Sequence, residues 1–230
     1  MKSIETDDTI LTCFFDNQSK TCGETSPKAE LSHPVPHCTV SAVLRCGERI
    51  VVVLCGERFT VGRSRSCDVI PPKADEHGDS RRRRLRVSRL HCVLFREGAE
   101  WTVFDGGLAA EGERRHSSFG TWWNGEQVAD SASLGVGHGT LALGGLSALD
   151  SVALDILPAG DSLVLSFRQR PEAQYALLSG ELDLGLLDKR LSGFRVFCED
   201  GEIRWRRDRK HGHFVPGTRL PAPASDFWTE

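Results

Sequence analysis

The sequence predicts an all-β fold, an antiparallel sandwich, and two observations support it. Short alternating apolar runs are separated by glycine-containing turns about every 8 to 12 residues, a spacing typical of antiparallel β-sandwiches. The first of these runs cover residues 39–44, 49–54 and 58–61. The runs at 91–96 and 101–105 are joined by a short segment that includes a glycine, which indicates a β-hairpin. This pattern favours a sandwich over a helical or βαβ fold.

Four further strands complete the predicted sandwich. They are expected at residues 121–123, 127–128, 140–143 and 152–157. Asn124-Gly125 lies between the first two and predicts a tight hairpin turn, because both residue types tolerate positive φ angles.

A separate hairpin is predicted at residues 194–206. Asp200-Gly201 supplies a two-residue turn, and the resulting register pairs Val196 with Trp205 and Cys198 with Ile203 on one apolar face. The opposite face carries arginines and one aromatic residue, which would suit nucleic acid. The absence of a recognised nucleic-acid motif argues instead for a hairpin that simply adds a sheet edge.

The chain of 230 residues is predicted to have three parts. Residues 1–38 resemble a flexible leader, residues 39–158 form the sandwich, and residues 159–230 form a C-terminal extension of unassigned fold. The net charge of −3 gives no reason to expect a nucleic acid or a membrane as partner. The sequence makes no prediction of the oligomeric state.

Cysteine usage and the N-terminus indicate a reducing compartment. Eight cysteines could form four disulfides, but the sequence shows no signal peptide or membrane span. We therefore predict a cytoplasmic protein, with buried positions for Cys92 and Cys198 because they lie among apolar strand residues. The cysteines and histidines before residue 39 contain no CxxC pair, so no metal or other cofactor is predicted.

Two enlarged loops are expected, at residues 71–86 and 106–116. The first contains four consecutive arginines and then Arg86, and the second contains Arg114 and Arg115. The loops would form an electropositive rim around a binding site. Alternatively, they are solvated charge runs that serve solubility.

Three short blocks of sequence lie in the loops of the predicted sandwich. The first is Gly62-Arg63-Ser64, the second is Val87-Ser88-Arg89-Leu90-His91, and the third covers residues 117–125. Their order and spacing resemble the forkhead-associated (FHA) domain, whose motif runs GR, then SxxH, then SxNGT and NG. The resemblance implies an FHA-like antiparallel β-sandwich that binds phosphothreonine, to which the C-terminal hairpin region is added.

The resemblance also implies a role for each matching residue. Arg63 would pair with the phosphate, Ser88 would donate its hydroxyl to it, Arg89 would frame the pocket and Ser118 would add a further contact. The supporting positions would be Gly62, Arg86, His91, Gly120, Thr121, Asn124 and Gly125, with His91 holding the loops by hydrogen bonds. Independently, an arginine beside a serine at a loop tip suits a phosphate, because the guanidinium offers a planar fork of donors.

Phe119 departs from the family pattern. The family has an asparagine here that grips the ligand backbone, and phenylalanine cannot form those hydrogen bonds. Three possibilities stay open. Another side chain replaces the grip, Phe119 stacks on an apolar ligand residue, or the domain is a scaffold that binds partners or nucleic acid through its basic loops.

The predicted function is a phosphothreonine-peptide-binding signalling adaptor. Its partner would be a threonine-phosphorylated protein, such as a Ser/Thr kinase or a kinase substrate. The sequence contains no GxSxG, P-loop, HExxH or kinase signature, so no enzymatic activity is predicted.

Overall fold

A computed structural model describes most of the chain between residues 40 and 213. The described segments are residues 40–46, 49–72, 78–108, 114–147, 150–199, 202–207 and 210–213. The predicted leader, with its cysteines and histidines, lies outside the described residues.

Strands dominate the described residues, which confirms the predicted all-β class. They are β1 (Val40–Cys46), β2 (Arg49–Cys55), β3 (Arg58–Val61), β4 (Cys92–Glu97), β5 (Glu100–Asp105), β6 (Gly107–Leu108), β7 (Arg114–Arg115), β8 (Thr121–Trp123), β9 (Glu126–Gln127), β10 (Ser131–Ser133), β11 (Gly139–Leu143), β12 (Val152–Ala159), β13 (Ser162–Phe167), β14 (Arg170–Leu178), β15 (Glu181–Asp183), β16 (Phe194–Glu199), β17 (Glu202–Arg207) and β18 (Lys210–His213). The other described elements are helix α1 (Gly78–Arg86) and two 3-10 turns, Leu184–Leu186 and Lys189–Leu191.

Two facing sheets form the sandwich. Among the described strands, the larger sheet has the order β1-β2-β14-β13-β12-β11-β8-β9 and the smaller sheet the order β10-β5-β4-β3. Neighbouring strands are antiparallel, with the exception of the parallel pair β14 and β2. The predicted sandwich is therefore confirmed, with this parallel pair as an addition.

The sandwich core lies between these sheets. The smaller sheet contributes Phe59, Leu94, Trp101 and Val103, and all four side chains are buried. They pack against alternate residues of the larger sheet, including Leu154. Burial of each such side chain stabilises the fold by about 1.5–3 kcal/mol.

A third layer covers the outer face of the larger sheet. The C-terminal sheet, of order β15-β16-β17-β18, buries Phe194, Val196 and Trp205 in a second core that also contains Val51 and Val53 of β2. Successive side chains of a strand point to opposite faces, so β2 contributes to both cores. This explains why its sequence, Arg49–Cys55, is a nearly continuous apolar run.

The predicted C-terminal hairpin is confirmed in its register. Val196 pairs with Trp205 and Cys198 pairs with Ile203. The prediction that Cys198 is buried is wrong, since its side chain is exposed, whereas Cys92 is buried as predicted. Strand alternation shows which side of a hairpin is apolar, but it does not show where the packed area ends.

Strand pairing continues past residue 158, the predicted end of the sandwich. Strand β13 pairs with β12, and β14 pairs with both β13 and β2. Residues 162–178 therefore belong to the larger sheet. The division of the chain into domains stays a prediction.

Both predicted loops contain regular structure. Helix α1 occupies the end of the predicted loop at residues 71–86. Arginine is a good helix former, and the basic residues of the last turn interact favourably with the helix dipole. In the predicted loop at residues 106–116, β6 and β7 pair as a short antiparallel ribbon. None of the described helices is both long enough and apolar enough to cross a membrane.

Candidate functional site

Three loops that carry the sequence blocks meet beside one another. We call residues 62–68 the first loop, 87–91 the second loop and 116–120 the third loop. The backbone N–H of Arg63 donates to the carbonyl of Ser88 at 3.1 Å, and that of Ser64 donates to the carbonyl of Arg89 at 3.0 Å. A Cβ atom on Gly62 would lie 2.2 Å from the Arg89 carbonyl oxygen. Glycine at position 62 is therefore what allows the first two loops to approach.

His91 joins the second loop to the third. The backbone N–H of Ser88 donates to Nδ1 of His91 at 2.9 Å, so Nδ1 carries no proton. Nε2 then donates to the carbonyl of Gly120 at 3.0 Å. Burial lowers the pKa of His91, which favours the same neutral form. With Nδ1 already occupied as an acceptor, His91 is a structural residue and not a catalytic base.

Asp105 fixes the third loop through hydrogen bonds to its buried carboxylate. Its buried carboxylate accepts hydrogen bonds from the Ser117 hydroxyl at 2.6 Å and the Thr121 hydroxyl at 2.5 Å, and it also contacts His116 at 3.2 Å. Burial alone would raise the pKa of Asp105, but the hydrogen bonds from Ser117 and Thr121 outweigh it and lower the pKa. Asp105 therefore stays charged and holds the segment that leads to Ser118.

Ser88 lies at the junction of the three loops. Its hydroxyl oxygen accepts the backbone N–H of Ser118 at 3.0 Å. The side chains of Arg63, Arg89 and Ser118 are exposed around this junction. Among the described residues, neither of these two arginines has an ion-pair partner. The site therefore offers to an anion two serine side chains and two guanidinium groups that no described residue neutralises.

Phe119 lies at the edge of the same site. It is 46% exposed, and the guanidinium carbon of Arg86 lies 4.8 Å from the centre of its ring. Arg86 also forms an ion pair with Asp150 at 3.0 Å, and Arg82 approaches the same carboxylate at 3.5 Å. The end of α1 is thus joined to Phe119 on one side and to the segment after β11 on the other.

The family comparison agrees with this geometry. Residues 59–140 match the family model described as FHA domain. Residues 59–140 are therefore an FHA domain. The comparison with curated proteins gives no match. FHA domains are in general phosphothreonine-binding modules and not enzymes.

The FHA match covers all three motif loops and confirms the resemblance on which the site was predicted. The structure brings together Gly62, Arg63, Ser88, Arg89, His91, Ser118, Gly120 and Thr121 through the contacts given above. Their roles in binding stay predictions.

Asn124 and Gly125 lie at the other end of β8 from Gly120. They have φ angles of 50° and 89° and form the predicted tight turn between β8 and β9. Asn124 accepts the backbone N–H of Thr140 through Oδ1 at 2.8 Å, which fixes the turn to β11. Asn124 and Gly125 therefore support the sandwich by fixing the β8–β9 turn to β11, and this accounts for their place in the FHA motif.

Two acidic residues that organise the site are missing from the set of residues predicted for it. Asp105 supports the third loop, and Asp150 holds Arg82 and Arg86. Asp105 directly follows an alternating strand pattern and could have been suspected as a buried acceptor. Asp150 gives no such signal, because its partners are more than 60 positions away in the sequence.

The basic face predicted for the C-terminal hairpin is compensated by glutamates. Arg206 forms a two-point ion pair with Glu181, Arg195 lies 3.6 Å from the same carboxylate, and Arg204 pairs with Glu199. Such pairing lowers the positive potential that a nucleic acid would require.

Proposed function

We propose that this protein binds peptides of threonine-phosphorylated proteins, and that Arg63 and Ser88 contact the phosphate. The observation that supports this most directly is the hydrogen-bonded junction at Ser88. Its carbonyl accepts the backbone N–H of Arg63, and its hydroxyl oxygen accepts the backbone N–H of Ser118. One arginine and two serines from three separate loops therefore converge on one small area of surface.

The chemistry of these groups suits a phosphate. A serine hydroxyl has one proton and two acceptor lone pairs, so Ser88 can accept from Ser118 and still donate to a phosphate oxygen. Arg63 can donate two parallel N–H bonds to the phosphate, a charge-assisted arrangement that is stronger than a neutral hydrogen bond. Arg89 and Ser118 are exposed beside them and would complete the site.

The support beneath the site reduces the cost of binding. His91 links the second and third loops through both ring nitrogens, and Asp105 accepts several hydrogen bonds from the third loop. Loops that are already ordered lose less conformational entropy when a ligand binds. A short phosphopeptide could therefore bind without first ordering these loops.

The distribution of ion pairs favours a local phosphate site over a diffuse basic surface. Arg82 and Arg86 of α1 share the carboxylate of Asp150. Arg63 and Arg89, by contrast, have no ion-pair partner within the described part of the chain. The alternative function, a scaffold that binds through basic loops without preference for phosphothreonine, uses charges that are partly neutralised already.

The proposed partner is a protein phosphorylated on threonine, such as a Ser/Thr kinase or a kinase substrate. A ligand of this kind is made where protein kinases act, so we place the protein in the cytoplasm. The thiol of Cys67, which donates to the carbonyl of Arg89 in the second loop, suits a reducing compartment.

A titration of the intact chain with a phosphopeptide and its unphosphorylated twin tests the proposal. The peptide is selected from an oriented phosphothreonine library, and binding is measured by calorimetry at two salt concentrations. Arg63→Ala should weaken phosphopeptide binding by about 10- to 150-fold, because a hydrogen bond to a charged group is worth about 1.5–3 kcal/mol. Arg65→Ala is the matched control, since Arg65 is an exposed arginine of the same loop.

Two results would contradict the proposal. The first is equal binding of both peptides with a steep loss of affinity at high salt, which is typical of a basic surface. The second is a nearly silent Arg63→Ala variant together with loss of binding when Arg81 to Arg84 are neutralised. Either result would support the scaffold function instead.

A further inference from the structure

We infer that Phe119 and the adjoining end of α1 form a subsite for an apolar side chain of the bound phosphopeptide. The inference rests on the proposed function, because the subsite is useful only if a phosphopeptide occupies the neighbouring site. It assigns Phe119 a positive role in specificity. Four features of the structure support it.

The first feature is that Arg86 holds Phe119 in place. The Arg86 guanidinium covers the Phe119 ring at 4.8 Å and pairs with Asp150 at 3.0 Å. A Cβ atom on Gly144, whose φ angle is +93°, would lie 2.9 Å from Cβ of Arg86. The end of α1 is therefore packed closely against the turn that follows β11, and Phe119 rests on a supported surface.

The second feature is that each of the three segments joined by Arg86 carries an exposed apolar side chain. Phe119 is 46% exposed although Arg86 stacks on its ring, Leu85 is 61% exposed and Leu146 is 55% exposed. Leu85 precedes Arg86, and Leu146 follows the Gly144-Gly145 turn that Arg86 contacts. Apolar surface left exposed beside a binding site can be removed from water by an apolar group of the ligand.

The third feature is continuity with the phosphate site. Ser118 directly precedes Phe119, and its backbone N–H donates to the Ser88 hydroxyl. A peptide in extended conformation advances by about 3.3–3.6 Å per residue. A side chain one or two positions from the phosphothreonine would therefore reach Phe119.

The fourth feature is charge. The Arg86 guanidinium lies over the ring, but Asp150 already compensates its charge, and Arg82 approaches the same carboxylate. An acidic ligand side chain would have to compete with Asp150 for Arg86. An aliphatic or aromatic side chain has no such competitor and would remove apolar surface from water. The geometry therefore favours an apolar residue over an acidic one.

A set of phosphothreonine peptides with an alanine background tests the subsite on the intact chain. Leucine or aspartate replaces alanine at one position at a time, from three residues before to three residues after the phosphothreonine. We expect leucine at one position near the phosphothreonine to raise the affinity of the wild-type protein by about 5- to 20-fold over alanine. Phe119→Ala should reduce this ratio to about twofold or less.

The same measurement contains its controls. Phe119→Leu should retain part of the preference, because it keeps an apolar side chain at the edge of the site. Leu186→Ala should retain all of it, since Leu186 is similarly exposed, at 52%, but belongs to the 3-10 turn after β15. The ratio of the affinities for the leucine and alanine peptides is the readout, so a general change in affinity does not affect it.

The outcomes separate this inference from the proposed function. If phosphopeptides bind in a manner that depends on Arg63 but leucine is preferred nowhere, the subsite is wrong and the phosphate site stands. The same holds if aspartate is preferred over leucine at every position, or if Phe119→Ala keeps the leucine preference. If no phosphothreonine peptide binds to the wild-type protein, the proposed function itself fails.

Discussion

Gly62 shows how strongly one missing methyl group constrains the site. An alanine here would place its Cβ 2.2 Å from the Arg89 carbonyl oxygen and 3.0 Å from Sγ of Cys67, too close for either contact. We expect Gly62→Ala to lower the free energy of unfolding by about 1–3 kcal/mol, because the two loops must separate. Denaturant titration measures this change, and Gly137→Ala is the control, since a Cβ there meets no atom within 4 Å.

The same substitution should also weaken phosphopeptide binding, because it displaces Arg63 from Ser88. A Gly62→Ala protein with wild-type stability and affinity would show that the close contact between the loops is not needed. Gly137→Ala should leave both quantities within about 0.5 kcal/mol of wild type.

His91 should make stability depend on pH in a defined window. The unfolded chain has an imidazole pKa of about 6.5, whereas burial lowers the pKa of His91 in the folded protein. Below about pH 6.5 the unfolded state therefore binds a proton that the folded state does not. The free energy of unfolding should fall as the pH decreases from there, by at most about 1.4 kcal/mol per unit.

Denaturant titrations between about pH 5 and 7.5 measure this slope, and His91→Gln should remove the part due to His91. An identical slope in the variant would show that His91 does not cause it. Asp105 affects stability at lower pH than His91 does. Its pKa is lowered from an ordinary value of 3.8, so its contribution is complete above that pH and is lost only in stronger acid.

Individual motif residues could be predicted because each one meets a requirement that few residue types satisfy. Glycine at 62 permits close backbone approach, and histidine at 91 accepts with one ring nitrogen and donates with the other. The role of Phe119 could not be predicted, because its environment depends on Arg86 and Asp150. Those contacts exist only after α1 has packed.

At the scale of elements, α1 is the main addition to the predicted sandwich. Arg86 should hold it to the domain, and Arg86→Ala should lower the free energy of unfolding by about 0.5–1.5 kcal/mol, through loss of the Phe119 contact and a partly exposed ion pair. Hydrogen exchange of residues 78–87 should become faster. Arg81→Ala is the control, because Arg81 is exposed and no ion pair holds it among the described residues.

Unchanged hydrogen exchange of residues 78–87 in Arg86→Ala would mean that other contacts hold α1.

The strands and hairpins were easier to predict than this helix, because alternation and turn residues are local signals. The β8–β9 turn needs only Asn124-Gly125, and the β16–β17 register follows from alternation across a two-residue turn. A run of arginines is compatible with both a loop and a helix, and tertiary packing decides between them.

At the scale of the whole molecule, the larger sheet supports two layers. Its inner face packs on the smaller sheet, and the outer face of β1, β2 and β14 packs on the C-terminal sheet. The sequence did not predict this arrangement, because the parallel pairing of β14 with β2 joins residues more than 100 positions apart. Local patterns carry no information about such a partner.

Because the two cores share strands of the larger sheet, they are expected to unfold together. Phe194 is buried in the second core, and Phe59 is buried in the sandwich core. Because β2 and β14 contribute to both cores, we expect the described strands to unfold as one cooperative unit. Replacement of either phenylalanine by alanine should then destabilise both layers, by about 3–5 kcal/mol at a buried site of this kind.

Hydrogen exchange with mass spectrometry separates the layers during denaturation. We expect Phe194→Ala to lower the protection of β4 and β5 in the sandwich as much as that of β16 and β17, and Phe59→Ala to do the same in the reverse direction. If each variant affected only its own layer, the sandwich, including β13 and β14, would behave as a domain independent of the C-terminal sheet. If both layers respond together, the phosphate site lies on a domain whose stability includes the C-terminal sheet, and a truncation at residue 158 should not fold.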